Sequence, residues 1–434
     1  MQIAMIAMGS RGDIQPYIAL GRGLKAAGHS VRLITHENFE GLVSSHELEF
    51  CPVKGNVQEF LETPEMQALL EKGNFLTINA HTSKASQRAA IDWAEGSLAA
   101  CQGIDLIVVG VGGLFLSIAL AEKLKLPLLQ AYIFPFTPTK AFSAVLFPHQ
   151  FITKLGGSVR RLSHHLFRQI MWQGSRIGDR LARQQVLGLS AAPFWGPYNA
   201  APFQRYPILY GFSPSVISKP SDWYHTHITG YWFLDAAPDW TPPTALLDFL
   251  QSGSPPVYIG FGSMGSRNPE ATADLVLKAI ALTGQRAILQ SGWGGLSKRD
   301  LPDTVFMVDS IPHSWLFPLV AVVVHHGGAG TTAAGLRAGV PTIVIPFFGD
   351  QPFWGQKVAE LGVGSAPIPR KQLTAERLAE AIHRAMTVRS MRQRAADLGA
   401  KIRGEDGIAN AVAIIQELEK RGAFYDKDNR VNWQ

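Results

Sequence analysis

A chain of 434 residues with 46% apolar and 17% charged residues has material for two cores of about 200 residues each. Cys51 and Cys101 stand alone without ligand spacing, which excludes a disulfide framework and a cysteine zinc site. The net charge of +6 is small, no apolar run reaches the ~18–20 residues of a membrane span, and the start lacks the regions of a signal peptide, so the expectation is a cytoplasmic enzyme.

Residues 2–8 predict a strand, 9–12 a turn, and 14–27 a helix with Pro16 in its first turn. Gly28 ends that helix and 31–35 forms the second strand, a βαβ opening. Its turn reads GSRGD rather than the dinucleotide fingerprint, and Asp13 would repel a pyrophosphate there. That argues against a nicotinamide cofactor and a dehydrogenase. On residue type alone, Asp13 is a helix cap.

Further strands are predicted at 105–110, 127–134 and 206–211, with a helix at 113–125. Between 134 and 205 plain alternation gives way to aromatics, among them Phe134, Phe136 and Phe142, mixed with prolines and glycines. This is expected to be a variable region, most of its rings in the core and a minority lining a cleft. Residues 151–185 carry Lys154 and six arginines against Asp179 alone. A basic amphipathic helix pair of this kind fits peripheral contact with an anionic membrane, or equally a solvated face. Nucleic acid is not indicated, since no base-reading motif accompanies the charge.

Prolines 238, 242, 243, 255 and 256 suggest an interdomain linker over 234–254. A second βα series starts at Val257, with a Gly-Ser turn at Ser263, a helix over 270–283, and strands at 285–290 and 305–308. Then comes VVHHGGAGTTAAGLRAGVPTIVIPFFGDQ at 323–351. The β-branched run 319–324 predicts a central parallel strand, Gly327, Gly328 and Gly330 a turn, and Thr331 or Thr332 the cap of a short helix stopped by Gly339 and Pro341. Free backbone N–H groups, a helix N-terminus, His326 and two threonine hydroxyls make an anion site. Asp350, set to one side, suits neutral hydroxyls. Together they describe a phosphate flanked by a polyol, as in a nucleotide sugar. Helices are predicted at 352–361, 374–386 and 408–420, and 422–434 lacks periodicity.

This segment resembles the donor signature of the family 1, GT-B-fold glycosyltransferases, and is most similar to the sterol glucosyltransferase branch, which carries HHGGAGTT, RAGVP and PFFGDQ. The resemblance implies an α/β fold of two Rossmann-like domains with parallel sheets facing a central cleft. It places an acceptor domain over 1–234, a linker over 235–254, a nucleotide-sugar domain over 255–405, and a helix over 406–434 crossing back, with a tail. His326 and Thr331 match the family's diphosphate contacts, and Asp350 and Gln351 its sugar contacts. Ser263, Gly328, Gly330 and Thr332 fall beside them. Trp293 lies in SGWGG, a further likeness to the sterol branch, and Ile311 and His313 fall around the nucleoside. Plant members place tryptophan and glutamine where this chain has Ser310 and His313, so UDP rather than TDP rests on the branch.

Asp13 matches the base of the branch that uses aspartate, with Ser10, His36 and the three phenylalanines on the acceptor side. The implied activity is inverting, metal-independent transfer of glucose or a similar hexose from UDP-sugar to an apolar sterol, polycyclic or phenolic alcohol. The alternatives are a nucleotide-sugar epimerase, which would need no aromatic acceptor region, and a non-catalytic helper, which could have lost the donor motif.

Overall fold

The computed structural model describes residues 1–72, 75–147, 152, 155–199, 203, 207–237, 240–261, 269–290 and 301–422. They form two compact units, Met1–Val57 with Leu76–Leu234 and Glu405–Gln434, and Gln58–Phe75 with Asp235–Gly404.

The first unit is built on strands β1 (Gln2–Ile6), β2 (Ser30–His36), β3 (Glu49–Val53), β4 (Leu106–Val109), β5 (Leu128–Tyr132), β6 (Ile208–Tyr210) and β7 (Thr226–Ile228). Among the described residues they make a seven-stranded parallel sheet in the order β3-β2-β1-β4-β5-β6-β7. All four residues of β4 and all five of β5 are buried, as expected for strands covered on both faces. Ile3, Met5, Leu33, Val108 and Leu129 pack with Ile14 and Ile18 of helix Arg11–Ala26 and with Ala411 and Ile415 of helix Gly407–Lys420. Gly23 lets those two helices approach, since a Cβ there would meet the Ile408 side chain at 2.3 Å.

Helix Arg11–Ala26 begins three residues before its expected start. Pro16 therefore lies in the second turn, where its missing N–H leaves the Gly12 carbonyl without an i+4 donor. The expected basic helix pair is one helix, Gly157–Leu181, running on into a π-helical turn at Ala182–Leu187. Among the elements not expected are the edge strand β3, and helix Phe75–Ala100 with Ala90, Ala94 and Ser97 turned inward.

The second unit has β8 (Val257–Gly260), β9 (Ala287–Gln290), β10 (Val305–Val308), β11 (Val322–His325) and β12 (Thr342–Val344) in the parallel order β10-β9-β8-β11-β12. Alternation sorts the two faces. Val257, Ile259, Leu289 and Val324 pack under Val276 and Ile280 and under Leu378 and Ile382, from helices Pro269–Thr283 and Ala375–Thr387. On the other face Tyr258, Ile288 and Val323 meet Leu316, Phe317 and Leu246. Leu246 is fully buried on helix Thr244–Gln251, so the stretch expected as a linker is part of this unit's core. Pro243 is the N-cap of that helix.

In each sheet the chain reverses its direction of growth at one place, between β1 and β4 and between β8 and β11. In open α/β sheets such switch points, beyond the carboxyl ends of the strands, are where ligands bind.

Candidate functional site

At the first switch point the first turn of helix Arg11–Ala26, which follows β1, holds Asp13. Ser10 donates its backbone N–H (2.8 Å) and its hydroxyl (2.9 Å) to Asp13 Oδ2. Gly9, at φ 145°, admits this carboxylate, because a Cβ there would lie 2.5 Å from the same oxygen. The side chain is only half-buried by surface area, yet the protein around it removes enough water that its pKa is raised despite both hydrogen bonds. Tyr17, whose hydroxyl donates to the Ala131 carbonyl, is pushed up by burial and then by the Asp13 charge. Asp13 is thus not the expected N-cap, a place taken by Ser10, but the N3 partner in a capping box, and a carboxylate whose ionisation burial disfavours.

The other acceptor-side residues divide. Ser10 is part of the Asp13 turn, and Phe134 is half-buried. Phe136 is fully buried, edge-on to Tyr132 (5.4 Å) and Phe167 (5.5 Å), with the Arg168 guanidinium 5.1 Å from its ring. Phe142 packs on His164 and Trp223. These two rings are core, which corrects their placement at an acceptor surface: apolar rings with enough aromatic partners leave no face for a ligand. His36 is buried against Trp93 at 5.4 Å, its pKa lowered by that burial, and so is also withdrawn from the surface.

At the second switch point β11 ends in the paired histidines. The Gly327 N–H donates to His325 Nδ1 (2.9 Å), which fixes the proton of this fully buried ring on Nε2, an atom with no partner among the described residues. Burial, then His326 and His313, hold His325 well below the ordinary imidazole pKa. His326 lies over Gly328, where a Cβ would meet its Nε2 at 2.5 Å, and burial lowers it to about 4. Both rings are neutral at pH 7. Gly327, at φ 92°, has room for no Cβ, with Val344 Cγ1 2.5 Å from where it would stand.

Helix Ala329–Ala338 follows with Gly328 as its N-cap, so it starts before the threonines rather than at them. The N–H groups of Ala329, Gly330 and Thr331 are its orphan donors. Gly330 is open, with nothing within 4 Å of where a Cβ would stand, and Thr331 is half-buried beside it. Thr332, expected among the donor contacts, instead turns its hydroxyl back to the Gly328 carbonyl (2.9 Å) and is buried. A buried hydroxyl takes the nearest carbonyl.

Beyond β12, Asp350 Oδ2 accepts from Trp354 Nε1 (2.7 Å), which fixes the carboxylate. Gln351 is buried, and its Oε1 accepts from the Phe347 (2.7 Å) and Phe348 (3.2 Å) N–H groups, so it ties the loop in place. His313 stacks on Phe317 at 4.3 Å, its Nε2 3.4 Å from the Tyr258 hydroxyl, which donates to Gln290 Oε1. Ile311 packs at the edge of the same cluster. Of the Tyr258–Gln290–His313 group only His313 stands out in the sequence; Tyr258 and Gln290 read as ordinary strand residues. Ser263 and Trp293 lie outside the described residues. No cluster of three His, Cys, Asp or Glu arranged for a metal occurs among the described residues.

Two parallel-sheet units with this glycine turn define a GT-B glycosyltransferase. The glycosyltransferase family 28 N-terminal domain matches residues 3–143, and the erythromycin biosynthesis protein CIII-like C-terminal domain matches 288–418. The fold is shared with the glycotransferase of kitacinnamycin (TM-score 0.67, 19% identity, 96% of this chain and 98% of that one). It is shared too with SsfS6 of Streptomyces sp. SF2575, solved with thymidine diphosphate (TM-score 0.63, 19% identity, 96% and 99%).

More particularly, the chain belongs to the sterol glucosyltransferase branch. It is 36% identical to a sterol 3-beta-glucosyltransferase of Arabidopsis thaliana over 95% of this chain and 67% of that protein. It is 37% identical to one of Cryptococcus neoformans over 96% of this chain. It spans only 27% of that fungal protein's length, and 30% of the Aspergillus fumigatus relative's.

Proposed function

We propose that the chain transfers glucose from UDP-glucose to the hydroxyl of a sterol or similar apolar alcohol, with inversion at the anomeric carbon. The observation that carries the donor half is the open N-terminus of helix Ala329–Ala338 with His326 folded over Gly328. The diphosphate would accept the orphan N–H groups of Ala329, Gly330 and Thr331 and an N–H of neutral His326, with Ser263, outside the described residues, added on the strength of the resemblance. These donors are fixed before the reaction and stabilise the charge that grows on departing UDP. A neutral imidazole costs no buried charge in the empty protein and gains strength as a donor once the anion arrives. Asp350, fixed by Trp354, would accept hexose hydroxyls, with Gln351 holding its loop.

Asp13 takes the acceptor proton in this reading. Its raised pKa, still below that of an alcohol, makes it a base that acts as the glycosidic bond forms and the attacking oxygen becomes acidic. Glucose over a related hexose is supported by the names of the sterol relatives, and uridine over thymidine rests on the resemblance of the sequence motifs to that branch. Two free cysteines fit a reducing compartment such as the cytoplasm. The test is calorimetry of UDP and UDP-glucose with EDTA present. Binding of both, weakened in His326→Ala, supports the donor site; UDP affinity unchanged in that folded variant removes His326 from it.

A further inference from the structure

Ten large apolar residues are exposed among the described residues, and six fall between 155 and 195: Leu155, Leu162, Leu166, Ile177, Phe194 and Trp195. On helix Gly157–Leu181, Leu162, Leu166 and Ile177 follow at spacings of four and eleven, which keeps them on one face. His164 and Phe167, on the other side, are buried. The helix therefore has an apolar stripe facing outward as well as one facing the core. Leu162 is 64% exposed and Trp195 68%, on a surface no element of this unit covers among the described residues.

The exposed charge of the helix and turn themselves has one sign, with Arg161 near the half-buried Asp222 at the edge of the face. Arg161, Arg176 and Arg180 are exposed, and Arg176 and Arg180 stand fourteen and eighteen residues beyond Leu162, on its side of the helix. The one acid of residues 155–195, Asp179, is turned inward, its Oδ2 3.3 Å from Arg183 Nε, and Arg183 also binds Glu122 at 2.6 Å. The aromatic pair belongs to the same patch, since the Arg176 guanidinium stands 4.8 Å from the Phe194 ring and Trp195 meets that ring at 5.1 Å. Its turn is anchored: Trp172 Nε1 (2.8 Å) and Gln173 Nε2 (2.9 Å) both donate to the Phe194 carbonyl.

We propose that the outer face of helix Gly157–Leu181 and the Phe194–Trp195 turn dock this unit on an anionic bilayer. Leucine, isoleucine and aromatic side chains enter the region between headgroups and acyl chains, while the arginines stay at the phosphates, their stems lying along the apolar surface. A second copy of the chain fits less well, because a two-fold pair would set the same three arginines against each other. No helix among the described residues is long and apolar enough to cross a membrane, so this contact is peripheral. The inference rests on the surface alone and not on the donor or acceptor assignments.

Co-sedimentation of the full chain with phosphatidylcholine vesicles, and with mixed phosphatidylcholine–phosphatidylserine vesicles, tests it. At low salt the mixed vesicles should bind at least about tenfold more tightly, and salt should release the protein as the screening length falls to about 8 Å or less. Two exposed-site variants separate the contributions: Arg161→Gln/Arg176→Gln/Arg180→Gln, and Leu162→Ser/Leu166→Ser/Trp195→Ser. Each should keep its melting temperature and lose at least about tenfold in affinity for mixed vesicles. Equal binding to both vesicle types, no binding, or undiminished binding by either folded variant would overturn the proposal. A concentration-dependent dimer that the leucine variant dissolves, without vesicle binding, would overturn it too and give the face to a second copy.

Discussion

Asp13→Asn separates the two roles the first turn of helix Arg11–Ala26 gives this residue. The asparagine carbonyl can still accept from the Ser10 N–H and hydroxyl, now at 2.8 and 2.9 Å from Asp13 Oδ2. Exchanging a charged for a neutral acceptor weakens each bond by about 1 kcal/mol. Removing a carboxylate whose burial outweighs those bonds gives back a similar amount. Stability should therefore stay within about 1 kcal/mol, or roughly 2–4 °C in melting temperature for a unit of this size. Loss of a general base costs about 10²–10⁴ in rate, or about 2.7–5.4 kcal/mol of transition-state free energy. The assay is sterol glucoside formation by mass spectrometry at saturating UDP-glucose, with UDP affinity measured alongside. Because burial raises the Asp13 pKa, the ionised base is lost as pH falls, and the acid limb of kcat/KM should lie above the ordinary ~3.9 and vanish in the variant. A folded Asp13→Asn enzyme within about tenfold of wild type, or one that keeps the acid limb, would refute the assignment and leave Asp13 a capping-box partner.

His326→Ala should weaken UDP by about 1.5–3 kcal/mol, the scale of a hydrogen bond to a charged group, as read by calorimetry. Asp350→Ala should reduce UDP-glucose turnover far more than UDP affinity; equal losses would mean that freeing Trp354 had collapsed the loop. His164, fully buried with Nε2 donating to the Phe142 carbonyl, titrates near 4 instead of 6.5. The unfolded chain thus binds more protons between those values, and on the order of 1–2 kcal/mol of stability should be lost between pH 7 and pH 5. His164→Gln should flatten that part of the pH dependence in denaturant melts, and an unchanged slope would contradict it.

The elements nearest the chemistry are the most legible. Strand β11, the glycine turn and Gly339 announce themselves because a buried parallel strand needs unbroken β-branched residues and the turn needs residues without Cβ. Helix Phe75–Ala100 and β3 are silent for the opposite reason. The helix packs through alanines and Ser97, and β3 is an edge strand with Pro52 in it, so neither has strong hydropathic contrast. Helix Arg389–Arg403, dense in arginine, is silent likewise. At the sites, residue type points to candidates but not to orientation. Thr331 and Thr332 are indistinguishable in sequence, and only the helix start at Ala329 turns one of them inward. Phe134 and Phe136 differ in the same way, since aromatic composition cannot say which ring finds Tyr132 and Phe167 as partners.

The most direct measurement is the anomeric configuration of the product formed from UDP-glucose and a sterol alcohol with EDTA present, read from the anomeric proton coupling by NMR. A donor held at the helix Ala329–Ala338 N-terminus and attacked from the face opposite UDP, with Asp13 as base, yields the β-glucoside. An α-glucoside, or release of free glucose without any glucoside, would contradict that account.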